Sequence, residues 1–251
     1  HESRVAPVPV QYMHQFHSLL ALVNLGWGVA LVPESAATMH LDGVVYRGPT
    51  AVPHAIEALT SSNLPVIYAT NNASRTDASV AGHLRELGLH TATDDVVTSP
   101  QAAMLLLRER LPAGARVLVV GGDGLVVEVE KAGFEVTRSA DDEPAAVVQG
   151  FAPEVGWREL AEAAYALALP EDEGGIPWIA TNTDWTIPQA RGIAPGNGTL
   201  VSAVHTAVGR LAVVAGKPER PIFDGAVERF GARHPRFLGD RLDTDIAGAQ
   251  T

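Results

Sequence analysis

Three short stretches of this chain carry side chains suited to holding a phosphate and a cation. Thr70-Asn71-Asn72, Ala215-Gly216-Lys217-Pro218 and Gly239-Asp240-Arg241-Leu242-Asp243-Thr244-Asp245 each follow a short apolar run. Together they supply a hydroxyl with amides, an ammonium and paired carboxylates, each set at the end of a predicted strand. In open parallel sheets ligands bind at those carboxyl ends. A fourth stretch, His40-Leu41-Asp42-Gly43, adds an imidazole and a carboxylate at a turn near the start. The combined donor set is the one needed to hold a phosphoryl group and a Mg²⁺ ion.

Each stretch also has an ordinary reading. A lysine in Gly-Lys-Pro neutralises phosphate charge, and the glycine lets the backbone approach; alone, it is a solvated loop lysine. Asp240, Asp243 and Asp245 repel one another unless a cation or donors offset them, and Mg²⁺ takes one or two carboxylates while keeping waters. An acidic first helical turn explains the same residues, Asp243 in particular. Thr70, Asn71 and Asn72 present hydroxyl, amide and backbone donors to phosphoryl oxygens, or place an Asn at a helix cap. Asp42-Gly43 before Val44-Val45-Tyr46 is a hairpin turn, or makes Asp42 a general acid whose carbonyl ligates metal. Asn182 and Asp184 contact substrate, or do turn chemistry, which the frequency of Asx residues in turns favours.

The elements that position these groups alternate from about residue 50 onward between short apolar runs and amphipathic stretches, an α/β pattern. Strands are expected over residues 66–69, 96–97, 116–120, 145–149, 178–180, 211–215 and 237–238. Helices are expected over 74–87, with Val80, Leu84 and Leu87 on one face, from Pro100 onward, up to Ala132 with Gly133 closing it, over 157–167, 200–209 and 221–230, and from Ile246. Residues 171–175 read as a surface loop, and Pro195-Gly196-Asn197-Gly198 as a tight turn. Gly121-Gly122-Asp123-Gly124 lacks the spacing of a dinucleotide fingerprint.

The 251 residues suffice for a full core. A formal net charge of −11 argues against a nucleic-acid surface. With no cysteine, disulfides and thiolate chemistry are excluded. The longest apolar stretch, residues 19–32, is short for a bilayer span and follows a weakly charged segment, so neither membrane nor secretion is expected. The compartment expected is the cytoplasm; association with further copies of the chain is left open.

Taken in order, Asp42-Gly43-Val44-Val45-Tyr46-Arg47-Gly48, Thr70-Asn71-Asn72-Ala73-Ser74-Arg75-Thr76, Ala215-Gly216-Lys217-Pro218 and the Gly239–Asp245 stretch resemble the haloacid-dehalogenase superfamily. The branch they most resemble is that of 4-nitrophenylphosphatase and phosphoglycolate phosphatase-like enzymes. Val148-Gln149-Gly150-Phe151, Ala180-Thr181-Asn182-Thr183-Asp184 and Pro195-Gly196-Asn197-Gly198 resemble it too. The resemblance spans about residues 42–251. It implies a Rossmann-like core with a parallel sheet, residues 42–100 and 208–251, and an inserted α/β cap domain, residues 101–207. It also implies Mg²⁺-dependent hydrolysis of a small phosphorylated metabolite through an aspartyl-phosphate. In that scheme Asp42 protonates the leaving group and then activates water, Thr70 and Asn71 orient the phosphoryl group, and Lys217 offsets charge. Asn72, Asn182 and Asp184 join the substrate site, and Asp42, Asp240 and Asp245 hold the metal.

The family's nucleophilic aspartate falls on His40, so impaired turnover is expected, and a catalytically inactive phosphate- or metal-binding module is the alternative. The family pattern also continues past Asp245 into another core strand. Residues 1–47, including Leu19-Leu20-Ala21-Leu22-Val23 and Gly26-Trp27-Gly28-Val29-Ala30-Leu31-Val32-Pro33, resemble a segment of LysR-type effector-binding domains. The expectation is a chimeric or truncated chain, with residues 1–41 outside the phosphatase-like part.

Overall fold

The computed structural model describes residues 55–61, 65–189, 192–233, 235, 237–239 and 242–250. The chain divides into two units, residues 1–50 with 188–192 and residues 51–187 with 193–251. The description below concerns the second. The expectations for residues 1–50, including His40, Asp42 and the LysR-like segment, lie outside the described residues, as does Asp240.

The elements run α1 (Ala55–Thr60), β1 (Tyr68–Thr70), α2 (Asp77–Glu86), β2 (Val96–Thr98), α3 (Ser99–Arg108), β3 (Arg116–Val120), α4 (Asp123–Lys131), β4 (Glu135–Thr137), β5 (Ala146–Gln149), α5 (Trp157–Ala166), β6 (Trp178–Ala180), β7 (Thr186–Gln189), β8 (Gly192–Pro195), α6 (Asn197–Val208), β9 (Val213–Val214) and α7 (Arg220–Phe230). A π-helical turn follows at Leu242–Ile246. The main sheet is parallel, in the order β4-β3-β5-β6-β9. β1 and β2 form a separate parallel pair, Tyr68 opposite Val96 and Thr70 opposite Thr98. β7 and β8 form a third sheet.

The central strands are nearly all apolar because both faces are covered. Val117, Val119, Val148 and Ile179 point to one face, against Ala103, Met104 and Leu107 of α3, Leu125 and Val129 of α4 and Ile222 of α7. Leu118, Val120, Val147, Trp178 and Ala180 point to the other, against Ala163 of α5 and Val201 and Val204 of α6. Each such Val, Leu or Ile contributes about 1.5–3 kcal/mol by leaving water. This is a three-layer α/β arrangement, as the alternating pattern implies.

Local chemistry sets the helix ends. Thr98 caps α3 by accepting from Gln101 N, and Thr98 N in turn donates to Gln101 Oε1 at 3.2 Å. Pro100 sits in the first turn. Gly133, at φ 86°, closes α4 in the left-handed region.

Three expectations need correction. The stretch at Pro195-Gly196-Asn197-Gly198 is not a tight turn. β8 ends at Pro195 and α6 starts at Asn197, because Gly196 N and Gly198 N donate to Trp185 O and Asp184 O, both at 2.9 Å. The 237–238 strand is absent: Phe237 packs edge-on against Phe223 with centroids 5.2 Å apart, and Leu238 is 84% exposed. Val80, Leu84 and Leu87, expected on one face, are all half-buried, and the buried residues of α2 are Asp77 and Ala81. Finally, β4, β7 and β8 exist where no strand is expected. Among the described residues no helix is long and apolar enough to cross a membrane.

Candidate functional site

Although β1 and β9 belong to different sheets, the residues that follow them meet. The Asn71 carboxamide grips the backbone of Lys217: Oδ1 accepts from Lys217 N at 2.8 Å, and Nδ2 donates to Lys217 O at 3.0 Å. The pairing is possible because residue 216 is glycine. A Cβ there would stand 2.5 Å from both Asn71 Oδ1 and Thr181 O. Asn71 Nδ2 also donates to the Asp184 carboxylate, at 3.2 and 3.3 Å.

Held this way, Lys217 directs its ammonium at Asp245. Nζ donates to Asp245 Oδ1 at 2.5 Å and to Ala69 O at 3.2 Å. The two side chains are 12% and 6% exposed, so the pair is buried. The Phe237 ring lies beneath the ammonium at 5.9 Å, a cation–π contact. Gly239 passes so close to Asp245 that a Cβ on it would come within 2.7 Å of Oδ2. Gly239 and Asp245 therefore lie against each other, with the Asp245 side chain buried. An ammonium and a carboxylate facing each other in a sheltered site suit an anionic ligand beside a cation.

The remaining expected residues divide by what their side chains hold. Thr70 Oγ1 accepts from Asn72 N at 3.1 Å. Asn72 Oδ1 accepts from Ser74 N, Ser74 Oγ and Arg75 N at 3.0–3.1 Å, which is local cap chemistry. Asn182 is buried; its Nδ2 donates to Asn71 O at 2.8 Å and its Oδ1 accepts from Asp184 N at 3.1 Å, an Asx turn. Asn71, Asn182, Asp184, Lys217 and Asp245 thus converge, with Thr70 next to Asn71 in the chain. Asp243 is exposed.

Two participants escape a sequence reading. Ser99 Oγ donates to the same Asn71 carbonyl at 3.0 Å, and Asn197 Nδ2 donates to Asn182 O at 2.7 Å. Ser99 precedes a proline and Asn197 lies between glycines, so each reads as a cap or turn residue. The signal available for Ser99 is its place directly after β2, the position the other site residues take on their strands.

Among the described residues no group of three or more His, Asp or Glu is placed to hold a metal ion. A groove of about 390 Å³ between α3, α4 and α7, lined by Gln101, Met104, Arg108, Lys131 and Arg229, contains none of the expected residues. Beside it Lys131 bridges two buried carboxylates, Glu128 at 2.8 Å and Asp77 at 3.4 Å. The Glu128 hydrogen bond holds its ammonium above the ordinary lysine range.

Comparison with known proteins gives a consistent result. Residues 38–135 match a family described as haloacid dehalogenase-like hydrolase, and residues 214–251 match one described as HAD-hydrolase-like. A D-glycerol 3-phosphate phosphatase of Mycobacterium tuberculosis is 45% identical over 209 residues, 83% of this chain and 58% of that protein. An acid sugar phosphatase of Staphylococcus epidermidis is 33% identical over 216 residues, 84% of this chain and 80% of that protein. The crystal structure of the glycerol phosphate phosphatase of M. tuberculosis in complex with magnesium superposes with a TM-score of 0.77 at 45% identity, covering 84% of this chain and 62% of that one. The chain therefore spans about three-fifths of the M. tuberculosis relative.

Proposed function

The chain belongs to the haloacid dehalogenase-like hydrolases, and from that premise we propose that it is a Mg²⁺-dependent phosphomonoester hydrolase for a small phosphorylated metabolite, impaired at residue 40. The observation that carries this reading is Lys217, clamped by Asn71 and aimed at the buried Asp245 carboxylate. The relatives' names, a glycerol 3-phosphate phosphatase and an acid sugar phosphatase, favour a polyol or sugar phosphate. The reading assigns residues 42–100 and 208–251 to the core, 101–207 to the cap and 1–41 to neither. It needs no nucleic-acid or membrane partner and assigns the cytoplasm.

The donor chemistry fits the metal. Asp42, Asp240 and Asp245 are all oxygen ligands, which a hard cation prefers, and Asp245 is buried where a carboxylate requires positive charge nearby. Bound there, Mg²⁺ would neutralise phosphoryl charge. The chain's own groups do the rest. Lys217 offsets charge on the phosphoryl oxygens as they develop it. The Thr70 hydroxyl orients the phosphoryl group, while Asn71 acts by fixing Lys217. Asp42 gives its proton to the leaving oxygen and then accepts one from water.

Residue 40 decides turnover. Its place in the family pattern is that of an aspartate nucleophile, whose covalent intermediate splits one hard step into two. An imidazole there has a different reach, removes a negative charge from the site and ligates Mg²⁺ poorly beside carboxylates. Losing the nucleophile in other enzymes costs on the order of a million-fold. His40 also favours the second reading, a binding module that retains phosphate and metal without turnover. Labelling with a phosphate donor under an alkaline quench, which preserves a phosphoimidazole, separates the two, because only the hydrolase traps a phosphoenzyme.

Calorimetry tests the shared premise. Inorganic phosphate should bind the chain in the presence of Mg²⁺ and bind Lys217→Ala more weakly, while Asp240→Ala should lose Mg²⁺. Equal phosphate affinity in parent and Lys217→Ala would sink the assignment of Lys217, and unchanged Mg²⁺ affinity in Asp240→Ala would sink that of Asp240.

A further inference from the structure

The hydrogen bonds around Asn71 form a closed ring. Asn182 Nδ2 donates to Asn71 O, Asp184 N donates to Asn182 Oδ1, and Asn71 Nδ2 donates to the Asp184 carboxylate. Two further bonds brace it: Ser99 Oγ to Asn71 O, and Asn197 Nδ2 to Asn182 O. Ser99, Asn182 and Asn197 are each at most 3% exposed. In so dry a place an unpaired donor or acceptor is costly, and the members of a polar network stand or fall together. The output of the ring is the Asn71 carboxamide, which pairs with both backbone groups of Lys217.

We propose that Asn182 and Ser99 are positioning residues for Lys217, acting through Asn71, so that the geometry of the site's cationic group is set by the loop after β6 and the first residue of α3. This rests on reading Lys217 as the group that faces phosphate. It gives Asn182 a task other than touching substrate: both ends of its carboxamide are already engaged within the ring. It also explains why Asn71, expected to orient the phosphoryl group, spends its side chain on Lys217 and Asp184.

The chain permits a direct test, because Lys131 and Lys217 are its only lysines. Isotope-labelled lysine in the 251-residue chain gives two side-chain NMR signals. Lys131, bound to Asp77 and Glu128, serves as the internal control. Asn182→Asp keeps the acceptor that makes the turn to Asp184 N but removes the donor to Asn71 O. Ser99→Ala removes the hydroxyl alone and decides the matter if the first variant does not fold.

Both variants should displace the Lys217 signal and leave that of Lys131 in place. Inorganic phosphate with Mg²⁺ should shift Lys217 in the parent and bind each variant roughly three- to tenfold more weakly, the range for one lost hydrogen bond. A Lys217 signal unmoved in a folded variant overturns the proposal, as does one that moves only together with Lys131. If the variants displace Lys217 while phosphate never shifts it in the parent, positioning stands and the phosphate-facing role falls.

Discussion

Adding one methyl group at residue 216 should dismantle the site. The Cβ of Gly216→Ala would lie 2.5 Å from Asn71 Oδ1, 2.5 Å from Thr181 O and 3.0 Å from Ser99 Cβ. Thr181 O belongs to the backbone, and Thr181 N is bonded to Gln149 O at 2.8 Å, so this side yields little. Asn71 must move instead, releasing Lys217 N and O. Overpacking costs about 1–3 kcal/mol, and buried polar groups left unpaired add about 1–3 kcal/mol. The expected total is about 2–6 kcal/mol, a large share of a stability of about 5–15 kcal/mol. Urea unfolding should show a lower midpoint at unchanged slope, with phosphate binding lost at urea concentrations where the variant is still folded. A change below about 1 kcal/mol with phosphate affinity intact would refute the account of how Asn71 and Lys217 are held.

Further expectations concern charge. Asp245→Ala leaves the Lys217 ammonium buried without that partner and should destabilise by about 3 kcal/mol, more than Asp245→Ala combined with Lys217→Met, in a double-mutant cycle by denaturation. Glu159 Oε2 accepts from Gly156 N at 2.8 Å at the start of α5, and that bond holds its carboxyl below the ordinary range. Its contribution, about 0.5–1 kcal/mol, is present above the unfolded pKa and fades as pH falls through the lower folded value. Stability curves of the parent and Glu159→Ala should therefore converge in acid; a gap that widens in acid would contradict this. Lys131 titrates in the opposite sense. Its folded pKa is raised, so its contribution is whole below the unfolded value of 10.5 and fades as pH rises through the folded one. The stability difference between the parent and Lys131→Met should shrink in strong alkali.

The legible parts of the sequence were those where one pressure dominated. β3 reads as Arg116–Val120 and β6 as Trp178–Ala180 because strands covered on both faces leave uninterrupted apolar runs. The strand-end positions of Asn71 and Lys217 followed from those runs. What they do did not: Thr70, Asn71 and Asn72 are equivalent as polar letters, and only the fold shows Asn72 capping its own turn while Asn71 reaches Lys217. The start of α6 was hidden because Gly196-Asn197-Gly198 has turn chemistry. Tertiary bonds from Asp184 and Trp185 carbonyls override that preference, and a Cβ at Gly198 would lie 2.8 Å from the Thr183 carbonyl carbon. β4 is three residues long with only Thr137 buried, too short for alternation to register. Phe237-Leu238 misled in the other direction: an apolar pair before a site motif suggests a strand, yet Phe237 is used as a wedge against Phe223 and Lys217.

The most direct test is Mg²⁺-dependent hydrolysis of p-nitrophenyl phosphate by the chain, side by side with His40→Asp. The account predicts turnover by the variant and a rate lower by several orders of magnitude in the parent, with both losing activity on removal of Mg²⁺. Comparable rates in parent and variant would contradict it, since residue 40 would not then be the limiting nucleophile. Silence in both would contradict the larger claim that Lys217, Asp245 and their neighbours form a working phosphatase scaffold.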